Sequence, residues 1–254
     1  MDVNKESLKL HKEHKGKLAT KSKVKVETKS DLSLVYTPGV AEVCKAIAAN
    51  PKAIYDYTMK ANSVAVVTDG SAVLGLGNIG PEASLPVMEG KAALFKVFAD
   101  VDAVPIALKT QDVKEIVRTV ELIAPMFGGI NLEDIAAPRC FEIEKQLIEK
   151  LDIPVFHDDQ HGTAIVVLAA LHNALRVVQK QLAHVKIVIN GAGAAGISVA
   201  KLLLAAGAVD VTIVDTIGAL YAKRPKLDGE KKILAEKTNL SRMKGALSEV
   251  LVGA

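Results

Sequence analysis

The apolar positions of this 254-residue chain fall into two alternating rhythms. Short unbroken runs, Ser63-Val64-Ala65-Val66-Val67-Thr68, residues 103–108 and Val185-Lys186-Ile187-Val188-Ile189, have the length and branched composition of buried strands. Between them lie stretches with helical spacing: residues 41–49, closed by Asn50-Pro51, the segment around 89–96, then 112–123, 139–150 and 164–178. Strand, helix, strand, helix predicts parallel α/β construction. A helix over 197–206 and a strand over 211–214 repeat the unit. A loop over 224–229 and helical pieces over 230–236 and 241–252 follow.

Composition supports the same class. Half of the residues are hydrophobic but only 4% are aromatic and none is Trp, so the core must be built from Val, Ile, Leu and Ala, as in sheets covered by helices. The first thirty residues carry nine lysines against four acids, an excess that leaves the rest of the chain slightly acidic. Lacking arginine and interleaved aromatics, this arm reads as solvated or subunit-contacting, and nucleic-acid binding is not expected. Cys44 and Cys140 have no metal-ligand spacing and read as free thiols of a reducing compartment. The start of the chain is charged and the longest apolar run, 164–171, is too short to span a bilayer, so a soluble cytoplasmic protein is expected.

Two loops spell G-x-G-x-x-G. At Asn190-Gly191-Ala192-Gly193-Ala194-Ala195-Gly196 a strand feeds directly into the glycines and a helix follows, with Asp215 about twenty residues on. This is the dinucleotide pattern: Gly191, Gly193 and Gly196, with Ala194 and Ala195 between them in the loop, allow the tight turn and close pyrophosphate approach, the N-terminus of the following helix faces the phosphates, and the acid takes the ribose hydroxyls, which favours NAD over NADP. In the other loop, Gly75 to Gly80, a turn and several residues separate the glycines from Val67. It reads instead as tight backbone lining a site near Lys91.

The acidic residues concentrate at two junctions. Phe156-His157-Asp158-Asp159-Gln160-His161-Gly162-Thr163 precedes a helix, and Asp158 or Asp159 would suit it as a cap; the adjacent pair, however, repels and resists burial. Glu133-Asp134 follows the double glycine Gly128-Gly129. Glu133, Asp134 and Asp159 together offer three hard oxygen ligands for an octahedral Mg2+ or Mn2+. Lys91, set among Ala92, Ala93, Leu94 and Phe95, is either a snorkelling surface lysine or a partly desolvated one suited to act as a base. Tyr36 precedes the Pro38-Gly39 turn, where its hydroxyl is either tied off in a core or free to face a cleft.

The tyrosine turn Val35-Tyr36-Thr37-Pro38-Gly39-Val40, the segment 88–96, the acids of 131–135, the stretch 156–163 and the Gly191 loop occur in that order. Together they resemble the malic enzyme family in its shorter bacterial form, from about residue 8 onward. The resemblance implies an N-terminal catalytic α/β domain over 1–160 followed by a doubly wound, Rossmann-type NAD-binding domain over 161–254 that is incomplete, its nicotinamide half absent. It further implies Mn2+ or Mg2+ held by Glu133, Asp134 and Asp159, with malate oxidised to oxaloacetate and decarboxylated to pyruvate. In these terms Lys91 is the base, Tyr36 the acid that protonates the enol, and Asp158 the residue that tunes Lys91. A homodimer or larger assembly is expected by the same analogy. One departure concerns the substrate: larger members carry an arginine after the Asp-Gly turn, where this chain has Ser71-Ala72 following Asp69-Gly70. Two alternatives are an oxaloacetate decarboxylase without net redox on the same scaffold and an inactive, truncated chain.

Overall fold

The computed structural model describes residues 2–73, 75–227 and 229–254. In chain order the elements are α1 (Val3–His14), α2 (Lys29–Val35), α3 (Val40–Ala49), α4 (Ile54–Tyr57), β1 (Ser63–Thr68), α5 (Pro81–Ala99), β2 (Asp102–Ala107), α6 (Val113–Ile123) and β3 (Gly129–Leu132). They continue with α7 (Arg139–Lys150), β4 (Val155–His157), α8 (Asp158–Val177), β5 (Lys186–Asn190), α9 (Ala194–Ala205), β6 (Asp210–Asp215), β7 (Gly218–Ala219), α10 (Gly229–Ala235) and α11 (Leu247–Val250). The alternation is that of an α/β protein.

The chain forms two compact units. The first runs to Asn131 and includes Leu147–Val155; the second comprises Leu132–Gln146 and Phe156–Ala254. A four-stranded sheet has the order β2-β1-β3-β4, with β1 and β2 parallel and Ser63 opposite Asp102. β1 is buried along almost its whole length, as its run of Val and Ala requires, and α5 packs on β1 and β2. Lys60 is buried at the foot of this unit, donating to Ala124 O at 3.1 Å and Phe127 O at 2.7 Å, with the Tyr55 ring 5.4 Å away. The ammonium thus satisfies carbonyls left over where α6 ends.

In the second unit β5 and β6 are parallel, Lys186 opposite Asp210, and the short β7 returns antiparallel to β6. α8 and α9 pack on one another over a core of Ile197, Ala200, Leu203, Val211, Ile213 and Leu220. β6 pairs next with this antiparallel β7, so the parallel run of strands does not extend past it among the described residues.

Several boundaries differ from expectation. α8 begins at Asp158, six residues before the apolar periodicity does, because residues 158–163 carry no apolar stripe and their helical geometry depends on tertiary bonds. The helix expected over 241–252 shrinks to the four residues of α11. Asn239 is the cause: its side chain accepts from Met243 N and donates to Met243 O and Leu220 O, all at 2.8 Å, replacing the bonds a helix would make. The basic arm, for which no element was expected, opens with α1, capped by Asp2 accepting from Asn4 N and Lys5 N. Within the expected loop over 224–229, Asp228 lies outside the described residues.

Candidate active site

The second glycine loop has the geometry its pattern predicts. Gly191 follows β5 at φ +121°, a conformation that favours glycine, and its N–H donates to Val214 O at 2.8 Å. Gly196 lies against the Gly191 carbonyl so closely that any side chain there would strike it. A side chain on Gly193, by contrast, would point into open space, and Gly193 is the N-cap from which Ala194 and Ala195 start α9. The first turn of α9 holds no acid, and Gly193 makes no side-chain capping bond.

Asp215 ends β6, as expected, but its carboxylate is engaged. Arg224 grips it with Nη1 at 3.0 Å and Nη2 at 2.5 Å, Ile217 N donates at 2.9 Å, and Lys231 Nζ lies at 3.5 Å. The Arg224 guanidinium, ahead of the turn amide, holds the Asp215 carboxyl well below the usual carboxylate range. Arg224 gave no signal in the sequence beyond its place in a Pro-containing loop.

The acidic junctions converge within the second unit. β3, buried throughout, delivers Glu133 and Asp134 at its end, only 5% and 4% exposed. Asp134 adopts φ 53°, a conformation uncommon for a residue other than glycine, and its N–H donates to Asp159 Oδ2 at 3.1 Å. Glu133, Asp134 and Asp159 each offer a carboxylate oxygen, all within 4.8 Å of one another. Mutual repulsion opposes such a grouping and a hard divalent cation favours it; the donor set fits Mg2+ or Mn2+.

Asp158 and Asp159 occupy the first turn of α8 rather than its cap, which is His157 with no side-chain capping bond. The Asp158 carboxylate folds back over Gly162, where an added methyl group would meet Asp158 Oδ1, so Gly162 makes room for this rotamer. Four further residues that the sequence left without a role stand around this turn. Glu144, on α7, accepts from His157 N at 2.8 Å and from Gln160 Nε2 at 3.2 Å, and lies 2.9 Å from His161 Nε2. The fully buried His157 ring places Nε2 3.4 Å from Asp159 Oδ2. Beside them Cys140 is buried, and burial, reinforced by the charges of Asp159 and Glu144, pushes its thiol up to about 12.

Tyr36 and Lys91 belong to the first unit. Tyr36 is the C-cap of α2 and is 68% exposed, so its hydroxyl is not tied off in a core of this chain. Lys91 is half-buried in the middle of α5, between the buried Met88 and Ala92. The basic arm reaches this helix: Lys17 N donates to Glu89 Oε2 and Lys17 Nζ to Pro86 O, both at 2.8 Å. The first glycine loop leads into the same helix. Gly70 O accepts from Ile79 N and Gly80 N at 3.1 Å, and Gly80 is the N-cap of α5. Asp69, fully buried, accepts from Ser71 N at 3.0 Å, so Asp69-Gly70-Ser71 forms a closed turn.

Compared with known proteins, residues 13–148 match the N-terminal domain of malic enzyme and residues 160–252 its NAD-binding domain. The chain is 58% identical over its full length to the bifunctional malic/malolactic enzyme of Bacillus subtilis, of which it covers 62%. It is 59% identical to the NAD-dependent malic enzyme of Geobacillus stearothermophilus, covering 94% of this chain and 50% of that one. Among solved structures, the NAD-dependent malic enzyme of Thermotoga maritima superposes with a TM-score of 0.94 at 51% identity, covering 98% of this chain and 66% of that one. The malic enzyme of Entamoeba histolytica gives 0.96 at 37% identity, over 99% and 54% of the two chains. The chain therefore spans between half and two thirds of the length of these relatives. With both family domains matched in order around the carboxylate cluster and the glycine turn, the chain belongs to the malic enzyme family.

Proposed function

We propose that this chain carries the catalytic and dinucleotide-binding parts of an enzyme that oxidatively decarboxylates malate to pyruvate and CO2, with NAD, or NADP in its place, as hydride acceptor. The observation that supports this most is the convergence of Glu133, Asp134 and Asp159 in the same compact unit as the Gly191–Gly196 turn. Relatives named NAD-dependent and NADP-dependent malic enzymes support the same reading.

Glu133, Asp134 and Asp159 would hold Mn2+ or Mg2+, which would supply Lewis-acid polarisation at the malate C2 oxygen, and a dinucleotide seated at the Gly191 turn would supply the hydride acceptor. Lys91 Nζ takes the C2 hydroxyl proton as the hydride leaves, giving oxaloacetate. The bond from C3 to the C4 carboxylate then breaks, CO2 departs, and Lys91 returns its proton to the C2 oxygen to give an enol. Tyr36 Oη protonates C3 while the enol proton passes back to Lys91, leaving pyruvate. Asp158 tunes Lys91 electrostatically. Gly191, Gly193, Ala194, Ala195 and Gly196 seat the pyrophosphate, and Asp215 the ribose. The Asp215–Arg224 pair presents an acid and a cation together, so discrimination between NAD and NADP is set by the pair rather than by the acid alone.

We further propose a cytoplasmic homodimer or larger assembly acting on small molecules, with no nucleic-acid or membrane partner. Exposed Leu8, Leu10 and Leu34 on α1 and α2 support association with another copy. Among the described residues one stretch, Lys29–Ala49, is long and apolar enough to cross a membrane. It leaves helical geometry at Tyr36, at φ −129° and ψ −106°, dividing into α2 and α3, which argues against a continuous span.

The test follows NADH and oxaloacetate in parallel after malate, NAD and MnCl2 are added. NADH formation that requires Mn2+ supports the proposal. Loss of added oxaloacetate without NADH from malate would replace it by a decarboxylase lacking net redox, and neither reaction would leave a chain without turnover. Lactate is measured beside pyruvate because one relative is named a malic/malolactic enzyme.

A further inference from the structure

We propose that Glu144, Gln160 and Ser198 form a buried hydrogen-bonded chain of positioning residues that couples metal binding at Glu133, Asp134 and Asp159 to dinucleotide binding at α9. The inference rests on the function proposed above. All of its members lie in the second unit.

The Glu144 carboxylate brackets the pair Asp158-Asp159 from both sides. One oxygen accepts from His157 N, just before the pair, at 2.8 Å and faces His161 Nε2, just after it, at 2.9 Å. The other accepts from Gln160 Nε2 at 3.2 Å. Gln160 then passes the connection onward, because its Oε1 accepts from Ser198 Oγ at 3.4 Å. Ser198 stands in the second turn of α9, five residues after the Gly193 cap. Glu144, Gln160 and Ser198 are each less than a tenth exposed.

These facts fix a direction for each bond. A carboxylate can only accept, so the amide of Gln160 must point its NH2 at Glu144 and its carbonyl at Ser198; a flipped amide would set oxygen against oxygen. Ser198 is therefore the donor that completes the chain, and its displacement leaves a buried acceptor unmet. The residues adjoining Asp159 are thus tied on one side to α7 and on the other to the helix whose N-terminus faces the dinucleotide. Apolar packing between α8 and α9 fixes no donor or acceptor direction, whereas these bonds do. A shift of α9 on seating the dinucleotide is felt at Gln160, and ordering of Asp159 by a cation is felt at Ser198. Coupling of this kind is reciprocal for binding affinities.

The experiment measures Mn2+ affinity of the full chain from the electron paramagnetic resonance signal of free Mn2+, without and with saturating NAD, and NAD affinity by calorimetry without and with MnCl2. The parent is expected to bind each at least about fivefold more tightly in the presence of the other, by the same factor both ways. In Ser198→Ala that factor should fall towards one, with circular dichroism unchanged. Ser198→Thr, which keeps the hydroxyl, should restore it. Gln160→Leu is the second variant, and combining it with Ser198→Ala should abolish no more coupling than either alone. Binding of both ligands with no mutual effect in the parent, or a factor unchanged in Ser198→Ala, would overturn the coupling alone. Failure of the parent to bind Mn2+ or NAD would overturn the proposed function and this inference with it.

Discussion

Asp159 ties the two acidic junctions together, since its carboxylate both accepts from Asp134 N and contributes to the three-oxygen cluster. Asp159→Asn keeps the shape and removes the charge. It should weaken Mn2+ by about tenfold or more, and an unchanged apparent affinity would remove Asp159 from the ligand set. Gly162 tests Asp158 without touching it. In Gly162→Ala the new methyl group displaces the flexible Asp158 carboxylate while the helix gains up to about 1 kcal/mol in propensity. A folded protein with lowered malate turnover is expected, and turnover at the parent rate would make the position of Asp158 immaterial. Lys91→Ala should abolish malate oxidation in a chain of full family length; parent activity would take the base role from it. At this scale the sequence was partly legible. The Glu and two Asp were visible as junction acids that no stable core needs, and the fold does group them. The register of α7 also marks Glu144: Cys140, Ile143 and Leu147 form the buried stripe of the helix, and a carboxylate at the same face requires donors. Gln160 and Ser198 carried no such signal, because an amide and a hydroxyl at half-turn spacings are ordinary on helices.

Element interiors carry a stronger signal in the sequence than element ends do. β1 and α7 were expected within the bounds they have, because their apolar periodicity runs to the boundary. α8 begins early because bonds from Glu144 hold a turn that propensity alone does not, and α11 is short because Asn239 competes for the backbone. The same competition between local and tertiary bonds governs β6. Asp215 and Arg224 are only 8% and 7% exposed, so Asp215→Asn leaves the guanidinium, still bonded to Gly218 O and Ala219 O, without its counter-charge and should cost about 1.5–3 kcal/mol at neutral pH. The sign with pH follows from the depressed carboxyl. The contribution is fully present above 3.8, the ordinary value, and is lost as pH falls towards the lower folded value. Denaturant midpoints of parent and variant should therefore approach one another below about pH 4; a gap that stayed constant would show that the charge of Asp215 contributes nothing. Cys140 on α7 offers a check on the packing around the cluster. With its thiol pushed up to about 12 and its side chain buried, it should resist alkylation at neutral pH until the protein unfolds.

For the molecule as a whole, α/β alternation and the dinucleotide turn followed from the sequence because each rests on local rules of strand burial and glycine geometry. The division into two compact units did not follow from periodicity, since Leu132–Gln146 joins the second unit while Leu147–Val155 returns to the first. Such an exchange is made by tertiary packing of α7 and leaves no mark in composition. Its consequence is functional: the acids after β3 and those opening α8, far apart in sequence, come to stand in one unit with the turn at Gly191. The central claim is that this grouping binds a divalent cation on which malate oxidation depends. Titrating malate-dependent NADH formation against MnCl2, in parent and Asp159→Asn chains of full family length, tests it most directly. The account predicts no NADH without the metal, saturation with Mn2+ in the parent, and a titration shifted to about tenfold or higher Mn2+ in the variant. Malate oxidation that proceeds at the same rate in chelator, or a variant that titrates like its parent, would contradict it.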